Sequence, residues 1–278
     1  MNRAQREQNL SRLLADLDLY ARNNGINAPD PCPPEALALS ESLFLAHSTP
    51  DGSFPAICHS NHLLCPQGLA NLRGVPLRPD CAEAVLGTGG FVFLYAAPFR
   101  FPQTGCGLLF AVSLEGEHGE DGVAAPFDSG GLVNVFSRPD PTEAAPAFLA
   151  RCGLPLPEHR EYLRQAMILL FGHPLDYLEG RDPHWPGPIG LTNGDRRRWT
   201  HEVRIPDKVF VRTAHLQAAF ARTALVSSQP EVENLFRWCQ LHGMDIVNFD
   251  TPRGDDFETL QRECVDYIRR KLLSSPRP

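Results

Sequence analysis

The 278-residue chain has no apolar run approaching the length of a membrane-spanning helix, and its first residues are polar and charged through Arg6 and Glu7, without the apolar core of a signal peptide. It also lacks a surplus of positive charge. The formal net charge is −7, which excludes whole-surface attraction to nucleic acid or anionic membrane. No Cys-x-x-Cys pair or regular spacing links its eight cysteines, so cytosolic residence with reduced thiols is the expectation. The sequence contains no Gly-x-Ser-x-Gly elbow, no His-Glu-x-x-His, no P-loop and no Gly-x-Gly-x-x-Gly, which argues against the commoner hydrolases and the classical nucleotide folds. What is present is 42% hydrophobic residues, enough for a proper core, and 26 prolines, many in the middle third, which predict irregular connections around a β framework.

Leu10, Leu13, Leu14 and Leu17 recur at helical spacing within 4–23, and Asn23-Asn24-Gly25 supplies a stop. After the connector Pro29–Pro34 come a short strand at Ser42–His47 and a helix from Phe54 that ends in a turn by Leu64. Gly90–Ala97 and Gly107–Leu114 are apolar runs of strand length. The Gly- and acid-rich stretch from Glu115 to Gly131, with Pro126-Phe-Asp128-Ser-Gly-Gly131, reads as a loop, an ordinary turn before a ligand cradle. Helices are expected at about 141–152 and 157–171, then a proline-rich loop, a strand at Trp199–Ile205 continued at Val209–Val211, and helices at 214–225, 230–242 and 256–273. The architecture expected is a mixed α+β domain with strands in the centre and helices at both ends. It divides into an N-terminal helix and connector over 1–34, a core over 35–213 and a C-terminal helical extension over 214–278.

Two constellations carry chemistry. Cys58, His62 and Cys65 would share a face if helical, and thiolate plus imidazole suits zinc. The spacing matches no common finger and a fourth ligand is missing, so buried cysteines without metal are expected. The other consists of His47, Tyr95 and Glu202 on three separate strands, with Arg196-Arg197-Arg198 just before the last. Each has a bland reading as well: a structural histidine, a core tyrosine, and a solvent-face glutamate on an edge strand. The arginines read equally as a solvated face.

His47-Ser48-Thr49 followed by Phe54-Pro-Ala-Ile57, then Val92-Phe-Leu-Tyr95-Ala-Ala-Pro98-Phe-Arg100, then Glu202-Val-Arg-Ile-Pro206, resembles the three motifs of DarT-type ADP-ribosyltransferases, over roughly residues 42–212. Asn61-His62 stands where that family tends to have a glycine turn. The resemblance implies an ADP-ribosyltransferase-like split mixed β-sheet and NAD as co-substrate, without metal. It implies that Glu202 stabilises an oxocarbenium ion, that His47 anchors a ribose and that Tyr95 stacks on nicotinamide, with Ser48, Thr49 and Arg100 as further NAD contacts. Thr200 stands two before Glu202, where transferases modifying protein arginine generally carry glutamate and others glutamine. By resemblance this favours a nucleic-acid acceptor, with Thr200 and Arg196–Arg198 contacting it. A toxin or anti-phage role with a neutralising antitoxin or chaperone follows by analogy. NAD hydrolysis, an RNA 2′-phosphotransferase-like activity and a non-catalytic binding module on the same scaffold stay open.

Overall fold

The computed structural model describes residues 2–98, 105–133, 138, 140, 142–183, 188–191, 194–250 and 256–274. The chain begins with α1 (Arg3–Asn23), α2 (Pro34–Ser42), β1 (Leu45–Pro50), α3 (Phe54–Ser60), β2 (His62–Leu64), α4 (Pro66–Leu72) and α5 (Ala82–Leu86). It continues through β3 (Phe91–Tyr95), β4 (Gly105–Phe110), α6 (Ser113–Glu117), β5 (Val123–Ala125), α7 (Ala145–Arg151), α8 (His159–Leu170) and α9 (Pro174–Glu179). The last third holds β6 (Glu202–Pro206), β7 (Lys208–Phe210), β8 (Leu216–Arg222), α10 (Thr223–Ser228), α11 (Pro230–Leu241), β9 (Asp245–Phe249) and α12 (Asp256–Ile268).

Seven strands form one mixed sheet in the order β5-β6-β3-β1-β4-β8-β9, and β2 pairs with β7 in a separate ribbon. Neighbours in the large sheet are antiparallel except β8 and β9, which run parallel. The fold is therefore the expected mixed α/β class, with helices at both ends of the chain. All six residues of β4 are buried, while in β3 buried and half-buried residues alternate and β1 has half-buried residues from His47 onward. Helices α1 and α2 pack against α8, α3 packs against α11, and α12 covers β4 and β9. Asn2 caps α1 by accepting the Gln5 N–H at 2.9 Å, satisfying one of the orphan donors of that helix end.

Several expected elements are corrected. Residues 216–222 form β8 and not the helix expected over 214–225, so the C-terminal segment supplies two strands to the sheet as well as helices. The helix from Phe54 stops at Ser60, because Asn61 adopts a left-handed backbone (φ 61°) and reverses the chain into β2. His62 therefore lies on a strand and shares no helix face with Cys58, while Cys58 and Cys65 are buried free thiols. The strand expected at Ser42–His47 is shifted to Leu45–Pro50, since α2 continues to Ser42. The loop expected from Glu115 to Gly131 holds α6, β5 and a 3-10 turn at Ser129–Val133. Arg196–Arg198 form another 3-10 turn, and the strand begins at Glu202 and not at Trp199.

Gly105 opens β4 with φ +110°, a backbone that side chains resist, and a Cβ there would fall 1.5 Å from Asp51 Oδ1. Asp51 is ion-paired with Arg222 at the end of β8 and accepts from the Cys106 thiol at 3.4 Å. Gly105→Ala is thus expected to cost about 1–3 kcal/mol from backbone strain alone, and to displace the Asp51 turn. A lowered melting temperature with weaker ligand binding is the expected result, because Pro50, Gly52 and Ser53 of that turn line the cavity described next.

Candidate active site

The ladder between β1 and β3 consists of one pair, Ala46 with Tyr95, whereas β1 and β4 pair over six residues from Leu45 to Pro50. The sheet therefore parts beyond Ala46, and the separation is where a ligand can reach both strands. A cavity of about 570 Å³ lies there, lined by His47, Ser48 and Thr49 of β1, Tyr95 of β3 and Glu202 of β6. Asp128, Ser129 and Gly130 complete that wall. A volume of this size falls in the range of small-molecule and cofactor sites.

Tyr95 and Glu202 are directly opposed across β3 and β6, so strand pairing alone places phenol and carboxylate on one face. β6 is an inner strand between β5 and β3, and Glu202 is fully buried; the solvent-face edge position open to it from sequence is not the one it occupies. His47 is third of the six residues in β1, and its Nδ1 lies 3.1 Å from the Phe93 carbonyl. A carbonyl can only accept, so Nδ1 carries the proton and the neutral ring leaves Nε2 as an acceptor. Burial lowers the His47 pKa and so favours that neutral form, with the bond to Phe93 acting in the opposite direction.

Ser129 holds Glu202 twice: its N–H and its Oγ–H donate to Oε2 at 3.0 and 2.9 Å. Arg204 Nε stands 3.3 Å from Oε1, an ion-pair distance without hydrogen-bond alignment, and both atoms are buried. The Glu202 pKa is pushed up to about 8. Burial is the main cause and the Asp128 charge adds to it; Arg204 and the two Ser129 bonds oppose. Asp128 is raised to about 6, again chiefly by burial, against the Gly130 N–H and the Arg197 charge. The Tyr95 phenol is pushed well above its ordinary value by burial and by Asp128 and Glu202, so it stays neutral.

The remaining expected residues fall elsewhere. Thr200 is buried, is absent from the cavity wall and donates its hydroxyl to the Arg196 carbonyl at 2.8 Å. Arg198 is buried beside the Trp199 ring, 3.7 Å from Asp182. Arg197 is gripped by the Asp195 carboxylate through Nε and Nη2, and Arg196 donates to Gln261 at 2.9 Å. None of these four lines the cavity; among the described residues the arginine that does is Arg73, at the exposed end of α4. Arg100 lies outside the described residues. Asp128 and Ser129 are cavity residues that sequence reasoning passed over as a turn, although an Asp-Ser-Gly-Gly run directly after a short apolar stretch was the available signal.

Among the described residues no group of three or more His, Cys, Asp or Glu side chains is arranged to hold a metal ion, and no helix is long and apolar enough to cross a membrane. No protein-family model matches the chain, and no curated protein matches it. Among solved structures it is similar to a DarT of Thermus sp. 2.9 in complex with NAD+, at 11% identity over 80% of this chain and 98% of that one, with a TM-score of 0.39. So distant a likeness transfers neither an activity nor a site.

Proposed function

We propose that the chain is an NAD-dependent ADP-ribosyltransferase whose site is the cavity at the parting of β1 and β3. The observation that carries this reading is the convergence of an imidazole, a phenol and a buried carboxyl, from three strands, on one hollow. Breaking the nicotinamide–ribose bond releases neutral nicotinamide and develops positive charge at the anomeric carbon. A carboxylate fixed beside that carbon stabilises the transition state more than the ground state. Glu202 meets this need: Ser129 clamps one of its oxygens, and Arg204 flanks the other without being aligned to bond it. His47 Nε2 would accept from a ribose hydroxyl, Tyr95 would stack on the nicotinamide ring, and Ser48 and Thr49 would add contacts from β1. Arg100 belongs to the same proposal on motif resemblance alone.

For the acceptor we favour a macromolecule, nucleic acid before protein. Thr200 presents neither the carboxylate nor the amide that would orient a protein side chain two residues before Glu202, and its hydroxyl is already engaged inside the fold. Arg73 at the mouth offers a phosphate contact. Incubating the chain with NAD labelled in its adenylate, together with RNA, DNA and cell protein, tests both levels. Label in nucleic acid is the expected result. Nicotinamide release without label in any polymer would make it an NAD hydrolase, and no release with all three present would overturn the enzyme reading. An antitoxin-like partner would be sought by co-purification from the native cell.

A further inference from the structure

The short ribbon of β2 and β7 continues the cavity wall outward. Its register sets His62 against Phe210, Leu63 against Val209 and Leu64 against Lys208. Successive residues of a strand face opposite ways, so Leu63 and Val209 turn into the core while the other four share the outer face. His62 and Leu64 line the cavity, and across the ladder Phe210 and Lys208 carry the same face on into solvent. Both ends of the ribbon are pinned. The Cys65 N–H donates to the Asp207 carbonyl at 2.9 Å, and the Val211 N–H donates to the Asn61 carbonyl at 3.0 Å. Phe210 is 48% exposed, with the His62 ring 4.6 Å away and Lys208 Nζ 5.3 Å from its centroid. Lys208 has no carboxylate partner among the described residues, although Asp207 precedes it, and neither has Arg73 at the end of α4, which packs on β2. Arg196–Arg198, by contrast, are engaged inside the fold.

From this arrangement we propose that the ribbon is a platform for single-stranded nucleic acid, with one base stacked on Phe210 and its flanking phosphates held by Lys208 and Arg73. The inference rests on the transferase reading with a nucleic-acid acceptor and deepens it, by naming the element that holds the acceptor beside the hollow. Stacking on an exposed aromatic ring and pairing of the backbone with unpaired cations are the two components of single-strand binding, and both are present on one rigid face. Lys208 lies at the ring that the base would take. Its flexible stem lets the ammonium leave that weak cation–π contact for a phosphate oxygen, which is the stronger partner. A duplex is a poorer fit, because its paired bases offer edges in the grooves and keep their faces inside the stack. The strand so placed runs from Phe210 past His62 and Leu64 to the cavity, and the neighbouring nucleotide is the one presented to it.

Fluorescence anisotropy on the full chain tests this without NAD. Short end-labelled single strands of DNA and of RNA, and the same DNA annealed to its complement, are titrated with wild type, Phe210→Ala, Phe210→Trp and Lys208→Gln. Binding of either single strand ahead of the duplex is the expected result. Phe210→Ala should weaken it about 5–100-fold, the loss of one stacked base. Lys208→Gln should lower the slope of log affinity against log salt by about 0.7, the loss of one phosphate contact on a single strand. Phe210→Trp should keep the affinity and show tryptophan quenching beyond that of wild type, which reports the stacking even if Phe210→Ala folds poorly. Equal affinity of wild type and Phe210→Ala, with no added quenching in Phe210→Trp, would overturn the platform. So would failure of wild type to bind either strand at low salt, which would leave protein as the acceptor. Nicotinamide release from NAD is measured separately: release without strand binding removes the platform and keeps the transferase, whereas strand binding without release keeps the nucleic-acid surface and removes the transferase.

Discussion

Glu202→Gln is expected to remove NAD turnover while making the protein more stable. The amide keeps the shape of the carboxyl and can still accept from Ser129, so the cavity should survive. What it loses is the anion that the proposed chemistry sets opposite the sugar, and removing one such preorganised electrostatic contact costs about 10²–10³-fold in kcat. The stability gain has the opposite origin. A carboxyl whose folded pKa of about 8 stands above its unfolded value of 4.5 favours the folded state fully only below 4.5. Between those values the folded chain holds a proton that the unfolded chain releases, so stability falls as pH rises through the window and levels off beyond it. Glutamine has no proton to release. The melting temperatures of wild type and Glu202→Gln should therefore lie closest near pH 5 and separate progressively toward pH 8, the variant higher. Wild-type turnover should run the other way, climbing as pH rises toward 8. A variant that is inactive and also less stable across this range would mean that Glu202 supports the fold and does no chemistry.

Which parts of the fold were legible in the sequence depends on how local composition and burial agree. The aromatic strand Phe91–Tyr95 is legible because consecutive aromatic and aliphatic residues have few other uses, and the strand at Glu202 because Val203 and Ile205 alternate with Glu202 and Arg204. β8 was not. Its residues Leu216-Gln-Ala-Ala-Phe-Ala-Arg222 carry three alanines, the strongest helix formers, and read locally as helix. Burial between β4 and β9 overrides that preference, since small side chains suit a strand covered on both faces. β9 was missed because Asp245 and Asn248 break its apolar run.

The site divides in the same manner. His47, Tyr95 and Glu202 were singled out by motif resemblance, and the strand order places them on one hollow. Asp128 and Ser129 were not singled out, because a Gly-rich turn has no periodicity to say which way its side chains point. Arg196–Arg198 stood out as a charge cluster, yet charge in a sequence does not reveal which partners are close by. Asp195, Gln261 and Asp182 are those partners, and only the folded chain brings the last two within reach.

The second large effect lies away from the cavity, at the pair formed by Glu115 of α6 and Arg160 of α8. Both side chains are nearly inaccessible, and the guanidinium grips the carboxylate through Nε and through Nη2, the latter at 2.6 Å. Burial raises the Glu115 pKa, and Arg160 opposes it by charge and by hydrogen bonding. His159 Nδ1 stands 3.6 Å from the same carboxylate, but burial and the Arg160 charge hold its pKa far below the usual histidine range, so it brings no compensating charge at neutral pH. Glu115→Ala would leave Arg160 as an uncompensated buried cation and is expected to destabilise the protein by about 3–5 kcal/mol. Removing both charges together, as Glu115→Leu with Arg160→Met, should return most of that loss, because the desolvation of the ions disappears with them. Neither residue lines the cavity, so kcat/KM per folded molecule should stay at the wild-type level in both variants. Chemical denaturation of wild type, the single variant and the double variant measures the pair directly. A single variant as stable as wild type would show that water or a shifted side chain reaches Arg160 when Glu115 is gone, and that this pair does not fasten α8 to the segment before β5.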